Sequence, residues 1–268
     1  MSISKLLAAV LSPPDRLVNW VFGKGFGLKD IFTLINLAGG VGGVILAMLG
    51  RPSDASYAVM AGFILGDSLD GAVARLLGRS NKFGSDFDTI TDHLAQCIAP
   101  AFIVFAYFRY YNIYLASAMA FTIIAAGSIR HARNTAVPFS FPFCWKGLPR
   151  PVATMVIFAF LNSRLITHLP HPQWVGAAVI VGVSFGLLTD FPFVSHHGRK
   201  LQRWVVAIVV WAYASSILQA LVYRRYFWDI LLLYMGVYIF LGWIVLNKEE
   251  RDEFWVAVKK WGRELEAQ

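Results

Sequence analysis

Residues Gly66 to His93 read GDSLDGAVARLLGRSNKFGSDFDTITDH, and they set carboxylates inside runs that are otherwise apolar enough for a membrane. Asp67 and Asp70 fall in one such run, Asp88 and Asp92 in the next, and Asp86 lies off that spacing. At about 100° per residue, Asp67, Asp70, Gly71 and Ala74 share one face of a helix, while Gly84, Asp88 and Asp92 form a stripe on the following helix. A charge inside a span costs roughly 2.5–3.5 kcal/mol on insertion scales, so four such acids need compensation or a use. The segment between them, with Arg75, Arg79, Asn81 and Lys82, is short and basic, which makes the two helices antiparallel neighbours.

Two facing acidic stripes repel unless cations sit between them. Hard divalent ions with oxygen ligands, Mg²⁺, Mn²⁺ or Ca²⁺, suit the purpose, because neither His nor Cys lies on the stripes. Gly71, Ala74 and Gly84 present small side chains on the same faces, either to let the helices approach or to leave room for a ligand. Arg75, one turn towards the basic loop, suits phosphate oxygens better than a Lys would.

The rest of the chain fits a membrane setting. Of 268 residues, 57% are hydrophobic and 15% charged, too apolar for a soluble domain and too long for a single span. Eight stretches approach the roughly 20 residues needed to cross, near 29–49, 57–77, 84–108, 113–132, 151–167, 172–190, 204–222 and 227–246. With both ends cytoplasmic, 19 Lys and Arg residues face the cytoplasm and 5 the other side, the expected asymmetry in the cytoplasmic membrane. The net charge of +8 is spread over these loops, so nucleic acid is not the expected partner.

Cys97 and Cys144 offer neither a disulfide framework nor a paired metal spacing, and the short apolar run before Pro13 and Pro14 is not expected to be a cleaved signal peptide. Leu17, Val18, Trp20, Val21 and Phe22 point to a helix lying in the membrane interface. Phe254, Val258, Trp261 and Leu265 recur at helical spacing and predict a second surface-lying helix in the headgroup layer. Pro138, Pro142 and Pro149 mark the stretch from about Arg133 to Arg150 as a cytoplasmic loop.

The pattern D-x2-D-G-x2-A-R-x8-G-x3-D-x3-D is met in full by Asp67, Asp70, Gly71, Ala74, Arg75, Gly84, Asp88 and Asp92. It resembles the signature of the CDP-alcohol phosphotransferases. That resemblance implies an all-α polytopic membrane protein: an interfacial segment at 1–28, a six-helix catalytic core at 29–190 opening to the cytoplasm, and at 191–268 two further spans with an amphipathic tail. It implies that Asp67, Asp70, Asp88 and Asp92 hold two divalent metals, with Asp92 also the general base, and that Gly71, Ala74, Arg75 and Gly84 line the CDP group of a CDP-linked lipid. A homodimer among membrane lipids is the family's usual assembly.

Three flanking stretches resemble membrane-embedded phosphatidylserine synthases: IAPA at Ile98–Ala101, IRHAR at Ile129–Arg133 with GLPRPVA at Gly147–Ala153, and GLLTDFPFVS at Gly186–Ser195. CDP-diacylglycerol and L-serine are the substrates so implied. Leu94, Ala95, Gln96 and Cys97 depart from the Val-Ser-Phe-Gly run of those enzymes, and Asn134 and Thr135 from their Phe-Asn pair. Arg130, Arg133, Lys146 and Arg150 form a candidate clamp for a carboxylate or phosphate on a small polar alcohol, or are ordinary positive-inside residues. Inositol phosphate and glycerol 3-phosphate are therefore rival acceptors.

In the first span, Asn36 and Thr33 lie at i, i+3 and reach either the nucleotide or a neighbouring helix, Asn36 being favoured. His93 points about 100° away from Asp92 and is not expected to bind metal. His196 and His197 read as solvated loop residues, and Asp190 as the partner of a loop Arg. An ion-coupled transporter is the non-enzyme alternative, since intramembrane acids also mark ion pathways. It would spread polar residues across the membrane depth, whereas here they crowd one hairpin.

Overall fold

The computed structural model describes residues 16–67, 81–142, 144–195 and 226–267. The chain divides into two compact units, one up to Tyr107 and one from Phe108 onwards. The described secondary structure is helical apart from two three-residue strands. Among the described residues, four helical segments are long and apolar enough to cross a membrane: Leu28–Met48, Lys82–Phe108, Ile113–Ala136 and Phe227–Val245. Arg150–Asn162 and Pro172–Leu188 are apolar but shorter. The chain is an all-α polytopic membrane protein, as its composition requires. The expected span at 204–222, His196 and His197, and the N-terminal run up to Pro14 lie outside the described residues.

In the first unit a short helix at 16–22 leaves Leu17, Trp20, Val21 and Phe22 exposed, in keeping with an interfacial position. Helix α1 (Leu28–Met48) then packs on α2 (Pro52–Gly62), which opens with Pro at its first position, where a missing N–H costs nothing. Glycine allows this crossing. A Cβ on Gly39 would lie 2.6 Å from the Cα of Gly62, and one on Gly43 would overlap the Val59 side chain. Close backbone approach replaces the hydrophobic drive that helices lack inside lipid.

Helix α2 continues as a π-helical turn, Phe63–Asp67, that packs along α1. Helix α3 (Lys82–His93) is capped by Asn81, whose Oδ1 accepts from the Gly84 N–H at 2.8 Å. The Asn81 Nδ2 donates to the Gly25 carbonyl at 2.6 Å, tying the start of α3 to the chain just before α1. A second π-helical turn, Leu94–Ile98, joins α3 to α4 (Ala99–Phe108).

The second unit opens with α5 (Ile113–Ala136), capped by Asn112. Strand β1 (Cys144–Lys146), α6 (Arg150–Asn162), α7 (Arg164–Thr167), α8 (Pro172–Leu188) and β2 (Pro192–Val194) come next. Helix α9 (Phe227–Leu241), a 3₁₀ turn (Gly242–Val245) and α10 (Lys248–Glu266) complete it. Helix α8 packs on α5 and α6, and α9 on α6. The strands pair antiparallel, with Trp145 opposite Phe193.

Four features of the described residues differ from what the sequence predicts. The span expected at 151–167 is interrupted at Ser163, whose backbone is extended at ψ 154° and whose hydroxyl donates to the Phe160 carbonyl. Helix α5 runs three residues past Arg133, because Pro138 excludes a helix only from the residue before it. The β1–β2 pairing was not foreseen, since three-residue strands leave no periodic signal.

The fourth difference concerns α10. Its apolar stripe faces protein, not headgroups: Phe254, Val258 and Trp261 are buried, with Phe254 and Val258 packed among Cys144, Leu246, Phe139, Phe141 and Val194. Amphipathic periodicity reports that a face is covered without saying by what. The Trp261 indole N–H donates to the Val137 carbonyl at 2.7 Å, and its ring lies 3.5 Å below the Lys146 ammonium. Trp261→Ala removes a buried aromatic, a hydrogen bond and a cation–π contact together. The expected loss is about 3–5 kcal/mol, read as a lower thermal midpoint of the detergent-solubilised protein, whereas Val256→Ala on the exposed face leaves the midpoint unchanged.

Candidate active site

Helix α3 carries the second half of the acidic pattern. Asp88 and Asp92, one turn apart, are both half-buried within the Lys82–Phe108 span. One oxygen of Asp92, Oδ1, accepts from two amides: the Asn36 Nδ2 of α1 at 3.3 Å and the Gln96 Nε2 of the π turn at 2.8 Å. Asn36 is fully buried in α1, and Thr33 one turn earlier is buried with it. Of the two uses open to Asn36, the structure shows the contact with a neighbouring helix.

The first half of the pattern is described only in part. Asp67 closes the π turn of α2, and its backbone alone is described. Asp70, Gly71, Ala74 and Arg75 lie outside the described residues. Among the described residues no three His, Cys, Asp or Glu side chains gather as a metal site. The donors that are described fit a hard divalent ion in kind, for Asp88 and Asp92 are carboxylates at i, i+4 on one helix in a span.

Gly84 has a specific neighbour. The space that a Cβ would fill is occupied by the Lys29 ammonium, with Asp30 Oδ1 at 2.7 Å. Lys29 and Asp30 form an ion pair at 2.5 Å in which Asp30 is fully buried and Lys29 is 15% exposed. The other oxygen of Asp30 accepts from the Gly27 N–H at 2.8 Å and caps α1. Gly84 therefore makes room for a buried ion pair at the head of α1, and α3 meets α1 at both ends: here, and at Asn36 with Asp92. Phe26, Phe83 and Phe87 pack around this junction. The sequence reading missed Lys29 and Asp30, because two charges at the mouth of a span look like ordinary positive-inside and N-terminal acidic residues.

The cations expected to bind the acceptor belong to the second unit, and three of them gather at the C-terminal end of α8. Arg130 Nη1 donates to the Leu187 carbonyl at 2.8 Å and Nη2 to the Gly147 carbonyl at 3.4 Å; Arg133 Nη1 donates to the Leu188 carbonyl at 3.4 Å. The last carbonyls of a helix lack intrahelical partners and carry partial negative charge, so two guanidiniums are well placed there. Lys146 pairs with Asp190 at 3.0 Å, so the partner of Asp190 is a Lys where the sequence suggested an Arg. Burial lowers the Lys146 ammonium from its ordinary value, helped by the charges of Arg130 and Arg133 and opposed by Asp190. Gly147 adopts φ 68°, and a Cβ there would lie 2.5 Å from the Thr189 carbonyl oxygen, which requires glycine at this bend. Arg150 starts α6, and Cys97, Cys144 and His93 lie buried or half-buried.

Residues 27–188 match the family model described as CDP-alcohol phosphatidyltransferase. The chain belongs to that family. Membership makes it an integral membrane transferase, with a CDP-linked lipid as donor and an alcohol as acceptor. Among similar proteins, a CDP-diacylglycerol–serine O-phosphatidyltransferase of Helicobacter pylori strain J99 is 28% identical over 225 residues, covering 81% of this chain and 91% of that one. A protein of the same name from Methanocaldococcus jannaschii is 26% identical over 220 residues, covering 81% and 94%. An archaetidylserine synthase of Methanothermobacter thermautotrophicus is 29% identical over 172 residues, covering 62% and 69%. The match to the family model stops at 188, so β2, α9 and α10 lie beyond it.

The Gly84 neighbourhood makes a direct test of how this family member is built. Gly84→Ala forces its Cβ onto Lys29 and Asp30, at an expected cost of about 1–3 kcal/mol. In a Lys29→Met background the same change costs less, because the ammonium it strikes is gone; thermal midpoints of the four proteins of that cycle measure the difference.

Proposed function

We propose that this transferase moves a phosphatidyl group from CDP-diacylglycerol to the hydroxyl of L-serine and releases CMP. The similar proteins named for that reaction support serine, as does the extent of the match over nearly their whole length. The observation that carries the catalytic assignment is the Asp92 carboxylate, set in a span and held at one oxygen by Asn36 and Gln96. A carboxylate so fixed is suited to take a proton at a defined position.

Asp67, Asp70, Asp88 and Asp92 would together hold two divalent ions, Mg²⁺ or Mn²⁺, whose positive charge would stabilise the CMP leaving group as the diphosphate linkage breaks. Asp92 takes the proton of the serine hydroxyl. The serine oxygen then forms its bond to the lipid-bearing phosphorus as the bond from that phosphorus to the CMP oxygen breaks. Gly71, Ala74 and Arg75 meet the CDP group, with Arg75 facing its phosphates. Arg130, Arg133, Lys146 and Arg150 are the candidates for the serine carboxylate. A planar guanidinium fork matches a carboxylate, and Arg130, Arg133 and Lys146 gather at one end of α8.

The catalytic core runs over 29–190, with 191–268 adding two spans and a C-terminal helix. The protein resides in the cytoplasmic membrane with both ends and the active site cytoplasmic, and it works as a homodimer. The positive-inside count supports that orientation.

The test is CMP release by the purified protein from CDP-diacylglycerol and Mn²⁺ with L-serine, inositol phosphate or glycerol 3-phosphate as acceptor. Serine should support turnover, and Asp92→Asn should lower it by about 10²–10⁴-fold. Turnover with a phosphate-bearing acceptor in place of serine would reassign the acceptor while leaving the chemistry intact. Activity retained by Asp92→Asn would remove the general base.

A further inference from the structure

Gln96 is a polar residue in an apolar setting. It is buried at 6% exposure between Ala95 and Cys97, each 1% exposed, in the middle of the Lys82–Phe108 span. A side-chain amide in that environment is costly unless its polar atoms find partners. Its Nε2 donates to Asp92 Oδ1 at 2.8 Å, the shorter of the two amide contacts on that oxygen.

The backbone that carries Gln96 is unusual as well. Leu94–Ile98 is a π turn in which the Ala99 N–H reaches the Leu94 carbonyl five residues back. Helix α1 packs directly on it: a Cβ on Gly40 would lie 2.6 Å from Leu94 Cδ2 and 3.2 Å from the Ala95 Cα. The turn is thus supported from α1, the same helix that supplies Asn36.

We infer that Gln96 is a positioning residue for the reaction, fixing the plane of the Asp92 carboxylate; this rests on Asp92 being the general base, as proposed above. The terminal torsion of an aspartate has no sharp rotamer, so its plane is set by whatever its oxygens bind. Oδ1 has two lone pairs, and two N–H donors from two elements fill them. Held in this way, the carboxylate resists swinging about its last bond. Losing Gln96 removes the shorter of those donors and leaves the Asn36 amide at 3.3 Å, which loosens that rotation. Proton transfer needs heavy atoms within hydrogen-bond reach, and a misplacement of about 1 Å can cost on the order of 10²-fold in rate.

The experiment uses the full chain in detergent with CDP-diacylglycerol, L-serine and Mn²⁺, and compares Gln96→Met, Gln96→Glu and Asp92→Asn. Gln96→Met keeps length and loses the donor; its kcat should fall about tenfold with KM for both substrates within about twofold. Gln96→Glu fills the same space but sets an acceptor against Asp92, so its kcat should fall further, towards about 10²-fold. A role in packing alone predicts little loss from Met, which is apolar and of similar volume. It also predicts losses that track the thermal midpoint. Parental kcat in Gln96→Met, a loss confined to KM, or Gln96→Glu no worse than Gln96→Met overturns the inference. An active Asp92→Asn overturns both this inference and the general-base reading, whereas an inactive Asp92→Asn beside a parental Gln96→Met overturns this one alone.

Discussion

The first unit depends on α1 and α3 being locked at two heights. At the head of α1, Asp30 is buried between the Lys29 ammonium and the Gly27 N–H, with Gly84 pressed against the pair. Deeper in, Asn36 reaches across to Asp92. Either attachment alone would let α3 rotate about its axis, and a rotation of one residue, about 100°, would turn its acids away from any shared site. Two attachments on one helix fix both rotation and height. The proposed metal site depends on that fixed orientation, in a setting where unguided charges would only destabilise.

The glycines of α1 serve the same end. Gly39 and Gly43 bring α2 to backbone contact, and Gly40 admits the π turn after Asp92. Both helices that bear the acidic pattern carry a π turn next to it, one ending at Asp67 and one starting two residues after Asp92. A π turn adds a residue to the helix and redirects the next stretch of chain, which is why such turns accumulate at functional sites. In the second unit, two guanidiniums cap the end of α8 and Trp261 of α10 supports Lys146, so the cationic cluster is braced by a helix beyond the part that matches the family model.

Much of this was legible in the residues. Asp67, Asp70, Asp88 and Asp92 stand out because charge inside a span is expensive, and Gly84 because it shares their stripe. The span boundaries at 28–48 and 113–136 fall within a few residues of the hydropathy reading. What stayed hidden were long-range pairings. Nothing local tells that Asn36 donates to Asp92, or that Lys29 is more than a topogenic charge. The stripe on α10 was legible as a stripe, but its partners, Cys144 and Phe139 among them, sit more than a hundred residues away. Gln96 first registered as a departure from a related pattern, and its contact with Asp92 shows what that departure places beside the acid.

The central claim, that α3 is held so that its acids take part in a divalent metal site, is tested most directly by anomalous diffraction from crystals grown with CDP and Mn²⁺. The account predicts manganese peaks in contact with the carboxylates of both Asp88 and Asp92. Well-ordered CDP with manganese bound elsewhere, or with Asp88 and Asp92 turned away from it, would contradict it.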